Sequence, residues 1–328
     1  MRDFFTNNPL WHEKIGKIYA LLERVKISEE QSKDVLHLRR TNRILSVGST
    51  TAIEGNRLTT QQVFDVINGK TVWAAARDIK EVKNAYSAYE LIPDLSPYNV
   101  DDFLKAHRFI TDNLVQEAGQ FRTVEVAVVN SKREVLHSGA NFAEVPALIS
   151  ELFEWGKTAD AHVLIKSSAM HFMIEHIHPF RDGNGRIGRL WQTLVLSRWN
   201  PIFEWMPVET MIYRNQANYY ATLQQSHTDG VDCLPFIDFM LDIIENSMYQ
   251  YIDIATETLS LPLNIGNDPV NSSYILELIK ANPHISYDKL VEKTGRSRAT
   301  IKRMIKRLKQ EGGISRIGSD KTGYWKIN

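Results

Sequence analysis

Cysteine is nearly absent: Cys233 stands alone among 328 residues. A single thiol excludes an internal disulfide and any four-cysteine metal site, and leaves burial as its expected role. No apolar stretch approaches the roughly 20 residues that a membrane span needs. The chain opens Met-Arg-Asp with no apolar signal core, so a cytoplasmic protein without a membrane partner is expected. Net charge is missing too, with 39 basic side chains against 39 acidic ones. That balance hides a split. Residues 271–328 hold 13 Lys/Arg and 5 Asp/Glu, while the remainder holds 26 and 34. Two modules with different partners are implied. At 43% hydrophobic and 24% charged, the chain has the composition of a globular protein with core enough for two domains.

What is present is mainly helical period. Apolar residues recur at spacings near three and four in roughly 9–26, 28–54, 59–68, 76–92, 99–117, 144–157, 161–177, 184–199, 208–226 and 234–258. The exception is 123–140. Thr123 to Val129 alternates partly at period two, Asn130-Ser131-Lys132-Arg133 turns, and Val135-Leu136-His137 returns, which reads as a β-hairpin. Residues 257–271 carry turn formers where the charge changes, and are the expected linker. Beyond it, 273–280, 286–293 and a stretch capped by Ser297 through Gln310 read as three helices after which Ile314–Ile317 and Tyr324–Ile327 form a ribbon around 318–323. On the third, Ile301, Met304, Ile305 and Leu308 share the face to be buried, with Lys302, Arg303, Lys306, Arg307 and Lys309 largely on the others. This is winged helix-turn-helix geometry, in which residues 297–310 would enter a DNA major groove. A protein partner for the same module stays open.

The densest chemistry lies in His178-Pro179-Phe180-Arg181-Asp182-Gly183-Asn184-Gly185-Arg186-Ile187-Gly188-Arg189. Histidine titrates near neutrality and can take a proton from a hydroxyl. Asp182 offers hard oxygens to magnesium. Gly183-Asn184-Gly185 leaves backbone N–H groups unshielded where the chain enters a helix, and such an N-terminus attracts phosphate. Arg186 and Arg189, one turn apart, can clamp the outer phosphates. Together these parts point to nucleotide chemistry directed at a hydroxyl.

Residues 178–189 also resemble the HPFx(D/E)GNGRxxR signature of Fic-domain proteins at every specified position, and 171–177 resembles the family's lead-in helix. The likeness extends over about residues 40–255. It implies a mainly α protein: a Fic-type helical bundle with a β-hairpin flap, followed here by the small winged helix. The implied division is 1–95 as an N-terminal helical region, 96–256 as the catalytic core, 257–271 as linker and 272–328 as the winged helix. It implies transfer of AMP from ATP onto a Ser, Thr or Tyr hydroxyl of a target protein, with Mg²⁺ and release of pyrophosphate. His178 would be the base and Asp182 the metal ligand. Gly183 to Gly185 would hold phosphates, the Asn184 amide would reach toward the α-phosphate, and Arg186 would grip the β-phosphate. Phe180 would anchor the loop. Gly183, Gly185 and Arg186 fit the AMP-transferring pattern and not that of the phosphorylating Doc branch; phosphocholine transfer stays open. Relatives border the adenine with a downstream tyrosine, here Tyr220, and some place an asparagine where this chain has His227. The hairpin would align the target as an added strand.

Thr50-Thr51-Ala52-Ile53-Glu54-Gly55-Asn56 resembles the family's inhibitory (S/T)xxxE(G/N) motif on a helix of about 44–56. Glu54 would then pair with Arg189, occupy the arginine meant for the γ-phosphate and repel that phosphate, with Thr50 one turn behind. Two other readings stay open: a DNA-binding regulator whose Fic domain only senses nucleotide, and a Glu54-dependent enzyme that removes AMP from its target. A homodimer is left open as well.

Overall fold

Polar groups, more than the apolar pattern, decide where the helices end. The computed structural model describes residues 10–32, 34–129, 135–227, 232–258, 272–294, 298–310, 313–318 and 323–327. Helix α1 (Leu10–Gln31) runs past its expected end, and α2 (Val35–Ile53) starts only after Asp34, whose carboxylate accepts the His37 N–H at 2.9 Å. That cap divides the expected 28–54 helix. Helix α3 (Thr60–Ile67) opens on a reciprocal Thr59–Gln62 capping box, and α4 (Ala76–Glu90) follows. Helix α5 (Val100–Thr111) stops six residues short of the expected 117. The Asn84 amide donates to the carbonyls of Ile110 and Asp112, at 3.3 and 2.8 Å, and Asn113 turns left-handed at φ 55°.

The flap is shorter than expected. β1 (Ala127–Val129) and β2 (Val135–Ser138) pair antiparallel with a slip between Val128 and Val129. At its base the carbonyls of Val124 and Ala140 accept from Arg122, which takes them out of the ladder. The expected turn 130–133 lies outside the described residues. Then come α6 (Val145–Thr158), α7 (Val163–Ile177) and α8 (Asn184–Trp199). The expected 208–226 helix is two, α9 (Val208–Arg214) and α10 (Gln216–His227), because Asn215 folds both its N–H and its side-chain amide onto the Met211 carbonyl. Helix α11 (Leu234–Thr258) enters the expected linker by two residues; 259–271 lie outside the described residues.

The chain divides into two units, Met1–Gly266 and Asn267–Asn328. In the first, α1 packs on α11, α2 on α4 and α9, and α7 against α8. Helices α7 and α8 are buried on nearly every side; α7 is mostly apolar, whereas α8 also buries Arg186, Arg189, Gln192 and Thr193. Residues from the expected 1–95 region and from 96–256 share one core, which includes Ile18, Leu38, Phe103, Phe172, Trp191 and Met248. Cys233 is buried within it, and burial pushes its thiol up to about 12, far from any reactive thiolate.

The second unit holds α12 (Ser272–Ala281), α13 (Tyr287–Thr294), α14 (Arg298–Gln310) and the antiparallel pair β3 (Ile314–Ile317) and β4 (Tyr324–Ile327). Ile275, Ile279, Leu290, Ile301, Ile305 and Trp325 form its core, and the Trp325 indole N–H donates to the Ile285 carbonyl at 3.1 Å. Lys302, Lys306 and Lys309 are exposed and Met304 is half-buried. The expected cap Ser297, turn residue Gly295 and ribbon tip 319–322 lie outside the described residues. The protein is mainly α with two small hairpins, the second within a winged helix.

Candidate active site

Loop 178–183 joins the two most buried helices, and its shape rests on four side-chain anchors. Phe180 is fully buried and stacks on the His107 ring, centroids 3.5 Å apart, with Phe103 and Phe121 at 5.4 and 5.7 Å. His107 Nδ1 accepts the Gly119 N–H at 3.0 Å, so its Nε2–H donates to the Asp182 carbonyl at 2.9 Å. Burial lowers its pKa to about 4, which keeps that tautomer neutral. Asn184 closes the loop on itself: its oxygen accepts the Phe180 N–H at 2.9 Å and its NH₂ donates to the Phe180 carbonyl at 2.8 Å. These contacts use the oxygen and one of the two N–H donors of the Asn184 amide.

The fourth anchor is Arg122, a buried cation. It donates to the carbonyls of His178 at 2.7 Å and Val124 at 2.8 Å, and also to that of Ala140. One side chain thus fixes the base of the flap to the backbone of His178. Gly139 permits it, because a Cβ there would lie 2.9 Å from the Arg122 guanidinium and 3.1 Å from His178 Cβ. His178 sits in the left-handed region at φ 54°, a strained place for a residue with a side chain. Its Nδ1–H donates to the Glu175 carbonyl at 3.2 Å, leaving Nε2 with the lone pair. Burial lowers its pKa to about 4, and Arg122 and His137 work in the same direction, so at neutral pH the ring is an unprotonated base.

Gly183 must be glycine twice over: its φ is 90°, and a Cβ would meet Thr111 at 2.8 Å. No side chain caps α8 there. The N-terminus keeps its partial positive charge for an anion. Arg186 is buried one turn in, and its Nε and Nη1 have no hydrogen-bond partner. A phosphate could satisfy these donors. Its Nη2 holds Asp182 Oδ1 at 3.0 Å, and the exposed Arg77 lies 3.6 Å from Oδ2. Sequence reasoning found neither His107, Arg122 nor Arg77. All three reach the loop from other elements, and only folding reveals them.

Arg189 is held differently. Its Nη2 donates to Glu54 Oε1 at 2.5 Å and to the Thr50 carbonyl at 3.2 Å, and its Nε to Thr50 Oγ1 at 2.9 Å. Glu54 follows the last residue of α2, and Gly55 turns left-handed at φ 90°. The Glu54 carboxylate lies over Gly185, close enough that a Cβ on that glycine would collide with it. Burial works against the Arg189 charge, but Glu54, Tyr219 and Glu175 outweigh it and raise the pKa above its ordinary value. The pair is not sealed, however: the Glu54 side chain is one-third exposed against 1% for Arg189, so solvent screens it on one side.

Below the arginine lies a polar pit. Burial raises Glu175 to about 7, against the pull of Arg189, and the Tyr219 hydroxyl donates to it at 3.3 Å. His171 donates from Nδ1 to Gln192 Oε1 at 2.6 Å and stays neutral, its pKa pushed by burial to about 3. The paired tyrosines therefore split. Tyr219 belongs to the buried pit, while Tyr220 is exposed and donates to the Ile53 carbonyl at 3.4 Å, touching the end of α2. His227 stacks on His137 and meets His176, and burial lowers the pKa of all three rings.

The Fic/DOC family profile matches residues 97–196, and the winged helix-turn-helix DNA-binding profile matches 275–314. A curated relative, protein adenylyltransferase fic-1 of Caenorhabditis elegans, is 27% identical over 272 residues, 77% of this chain and 50% of its own length. The chain thus spans about half the length of that relative. Among solved structures, residues 134–508 of Fic-1 from the same nematode superpose with a TM-score of 0.58 at 22% identity, a likeness of fold covering 76% of this chain and 75% of that one. A Fic family protein from Desulfovibrio desulfuricans G20 superposes with a TM-score of 0.73 at 30% identity, covering all of this chain and 98% of its own. With 30% identity over nearly the full length of both chains, the chain belongs to the Fic family.

Proposed function

We propose that the protein is an autoinhibited protein adenylyltransferase that moves AMP from ATP to a Ser, Thr or Tyr hydroxyl and releases pyrophosphate. The observation that carries the reading is a meeting of opposites at one helix end. An imidazole with its lone pair on Nε2 stands beside an uncapped N-terminus and a buried arginine with unpartnered donors. Two curated relatives with the adenylyltransferase name support the choice of nucleotide chemistry. In this reading His178 takes the proton as the acceptor oxygen attacks the α-phosphorus, while the bond to the bridging oxygen breaks. Gly183 to Gly185 and Arg186 hold the phosphates, and Arg189 takes the terminal one once Glu54 withdraws. Tyr220 borders the adenine, and the hairpin presents the target segment.

Magnesium would be held by Asp182. The donor fits: a hard carboxylate, half-exposed, with one oxygen on Arg186 and the other near the exposed Arg77 guanidinium, the remaining ligands coming from phosphate and water. When bound, it would offset charge developing between the α- and β-phosphates. A cytoplasmic site of action accords with ATP as substrate. The winged helix reads DNA through α14, whose exposed Lys302, Lys306 and Lys309 flank its packed apolar face. Binding of the full chain to duplex DNA should then weaken steeply with salt, and a flat salt response would remove the DNA reading.

The decisive assay incubates α-labelled ATP with candidate lysates and wild type, Glu54→Gly, or Glu54→Gly with His178→Ala. Label should be weak, strong and absent in that order. Equal labelling by all three would sink the proposal. Release of AMP from labelled target by wild type, lost in Glu54→Gly, would favour removal over addition.

A further inference from the structure

Three histidines from three elements meet beside the site, and the proposed reaction uses none of them. His137 lies on β2, His176 in the last turn of α7, and His227 is the last residue of α10. One ring nitrogen from each lies within 4.8 Å of the other two. His176 Nδ1 and His227 Nδ1 are 3.0 Å apart, and the His137 and His227 rings stack with centroids 3.8 Å apart. We propose that these three imidazoles form a binding site for a borderline transition-metal ion, zinc foremost, which pins the flap to the helical body.

Donor type selects the ion. Three imidazoles without a carboxylate suit zinc, cobalt or nickel rather than magnesium or calcium, and a three-histidine set leaves a fourth position for water. The spacing is close already, since two nitrogens on one tetrahedral zinc at about 2.0–2.1 Å sit roughly 3.3 Å apart. His137 is also braced as metal-bound histidines are. Its Nε2–H donates to the His176 carbonyl at 2.6 Å, which fixes the tautomer and leaves the lone pair on Nδ1. Phe172 walls the cluster, with ring centroids 5.1 Å from His227 and 5.9 Å from His176. One adjustment is needed. The stacked His137 and His227 planes lie 10° apart, and no ion sits in both, so loading tilts His137 about its carbonyl hydrogen bond. On a strand of four residues this is a small movement. It matters for the flap, because Gly139, two residues on, packs against His178.

The test uses the full chain stripped with a chelator and titrated with zinc in excess magnesium, which keeps zinc off the Asp182 carboxylate. One equivalent should bind. Cobalt in its place should show the intense visible bands of a four-coordinate site, and zinc should slow hydrogen exchange at residues 135–138. His137→Gln and His227→Asn should each weaken binding by about 100-fold or more, beyond the 10–100-fold typical of losing an outer-shell partner. Thermal melts confirm that each variant folds. Absence of zinc uptake by the folded wild type would overturn the proposal and leave the rings as packing. So would uptake unchanged in the His137→Gln, His227→Asn double variant. Zinc uptake needs no transferase activity, so this result stands or falls apart from the proposed reaction.

Discussion

The two ends of the first turns of α8 are held by different physics. Around His178 to Arg186, the fixing contacts are a buried aromatic stack, an amide closed on its own loop, and carbonyls gathered by His107 and Arg122. Three residues further, Arg189 is held by a carboxylate and a hydroxyl from α2. The first set belongs to the loop's own packing and has nothing to give up when nucleotide arrives. The second is an ion pair with one solvent-screened member, and a phosphate can replace it. In the proposed reading the loop backbone is preformed, whereas the Arg189–Glu54 pair is a latch in which Arg189 would exchange Glu54 for a phosphate.

Breaking the preformed side should have the largest effect. In the Glu54→Gly background, His178→Ala should cut transfer roughly 10²–10⁴-fold while ATP affinity by calorimetry stays near its starting value. Next comes Phe180→Ala, which empties a fully buried aromatic site and should cost about 3–5 kcal/mol in thermal unfolding. ATP binding should fall with it, since the Phe180 backbone is what Asn184 grips. A Phe180→Ala protein with unchanged Tm and ATP affinity would show that the loop is not held as described. Opening the latch is smaller. For Glu54→Gly the expected rise in autolabelling is about 30-fold or more, equivalent to ~2 kcal/mol, the low end for a charge pair because water reaches the glutamate.

Acidity sharpens the same contrast. His107, His171 and His178 have native pKa values of about 4, 3 and 4, below the ordinary 6.5. Depressed pKa values contribute stability present above pH 6.5 and lost as pH falls toward 4. Glu175 runs the other way. Raised to about 7 from 4.5, it contributes stability present below pH 4.5 that is lost as pH rises through 7. Melting temperature should therefore drop steeply below pH 6, and Glu175→Gln should abolish the gentler decline toward pH 7 without changing the acid limb. An acid limb flattened by Glu175→Gln would mean that the pit, not the imidazoles, dominates.

How much of this was legible beforehand follows from what each residue needs. Residues 178–189 carry their chemistry within twelve positions of one another, so the base, the glycine turn and both arginines could be read in line. Glu54 was legible only through the likeness of residues 50–56 to the inhibitory motif, since a glutamate one helical turn from a threonine carries no signal of its own. His107, Arg122 and Arg77 were not, because they act on the loop's backbone or its carboxylate from distant segments, and an isolated histidine or arginine carries no local pattern. One task of Asn184 was not legible: its amide also closes the bend between α7 and α8, a contact that only folding reveals. Helix ends failed where Asp34, Asn84 and Asn215 capped or cut a continuing apolar period.

The smallest effect tests the latch from its uncharged half. Thr50 is fully buried, and its hydroxyl accepts from Arg189 Nε at 2.9 Å. Thr50→Val keeps the shape and removes that acceptor, leaving a buried guanidinium donor unmatched at a cost of about 1–3 kcal/mol. The carboxylate contact remains, so the arginine is loosened rather than freed. Autolabelling should rise, but less than with Glu54→Gly. Adding Thr50→Val to Glu54→Gly should gain less than Thr50→Val does alone, since both act on one guanidinium. Full additivity would instead mean that Thr50 restrains α2 by packing, and that the latch is the ion pair by itself.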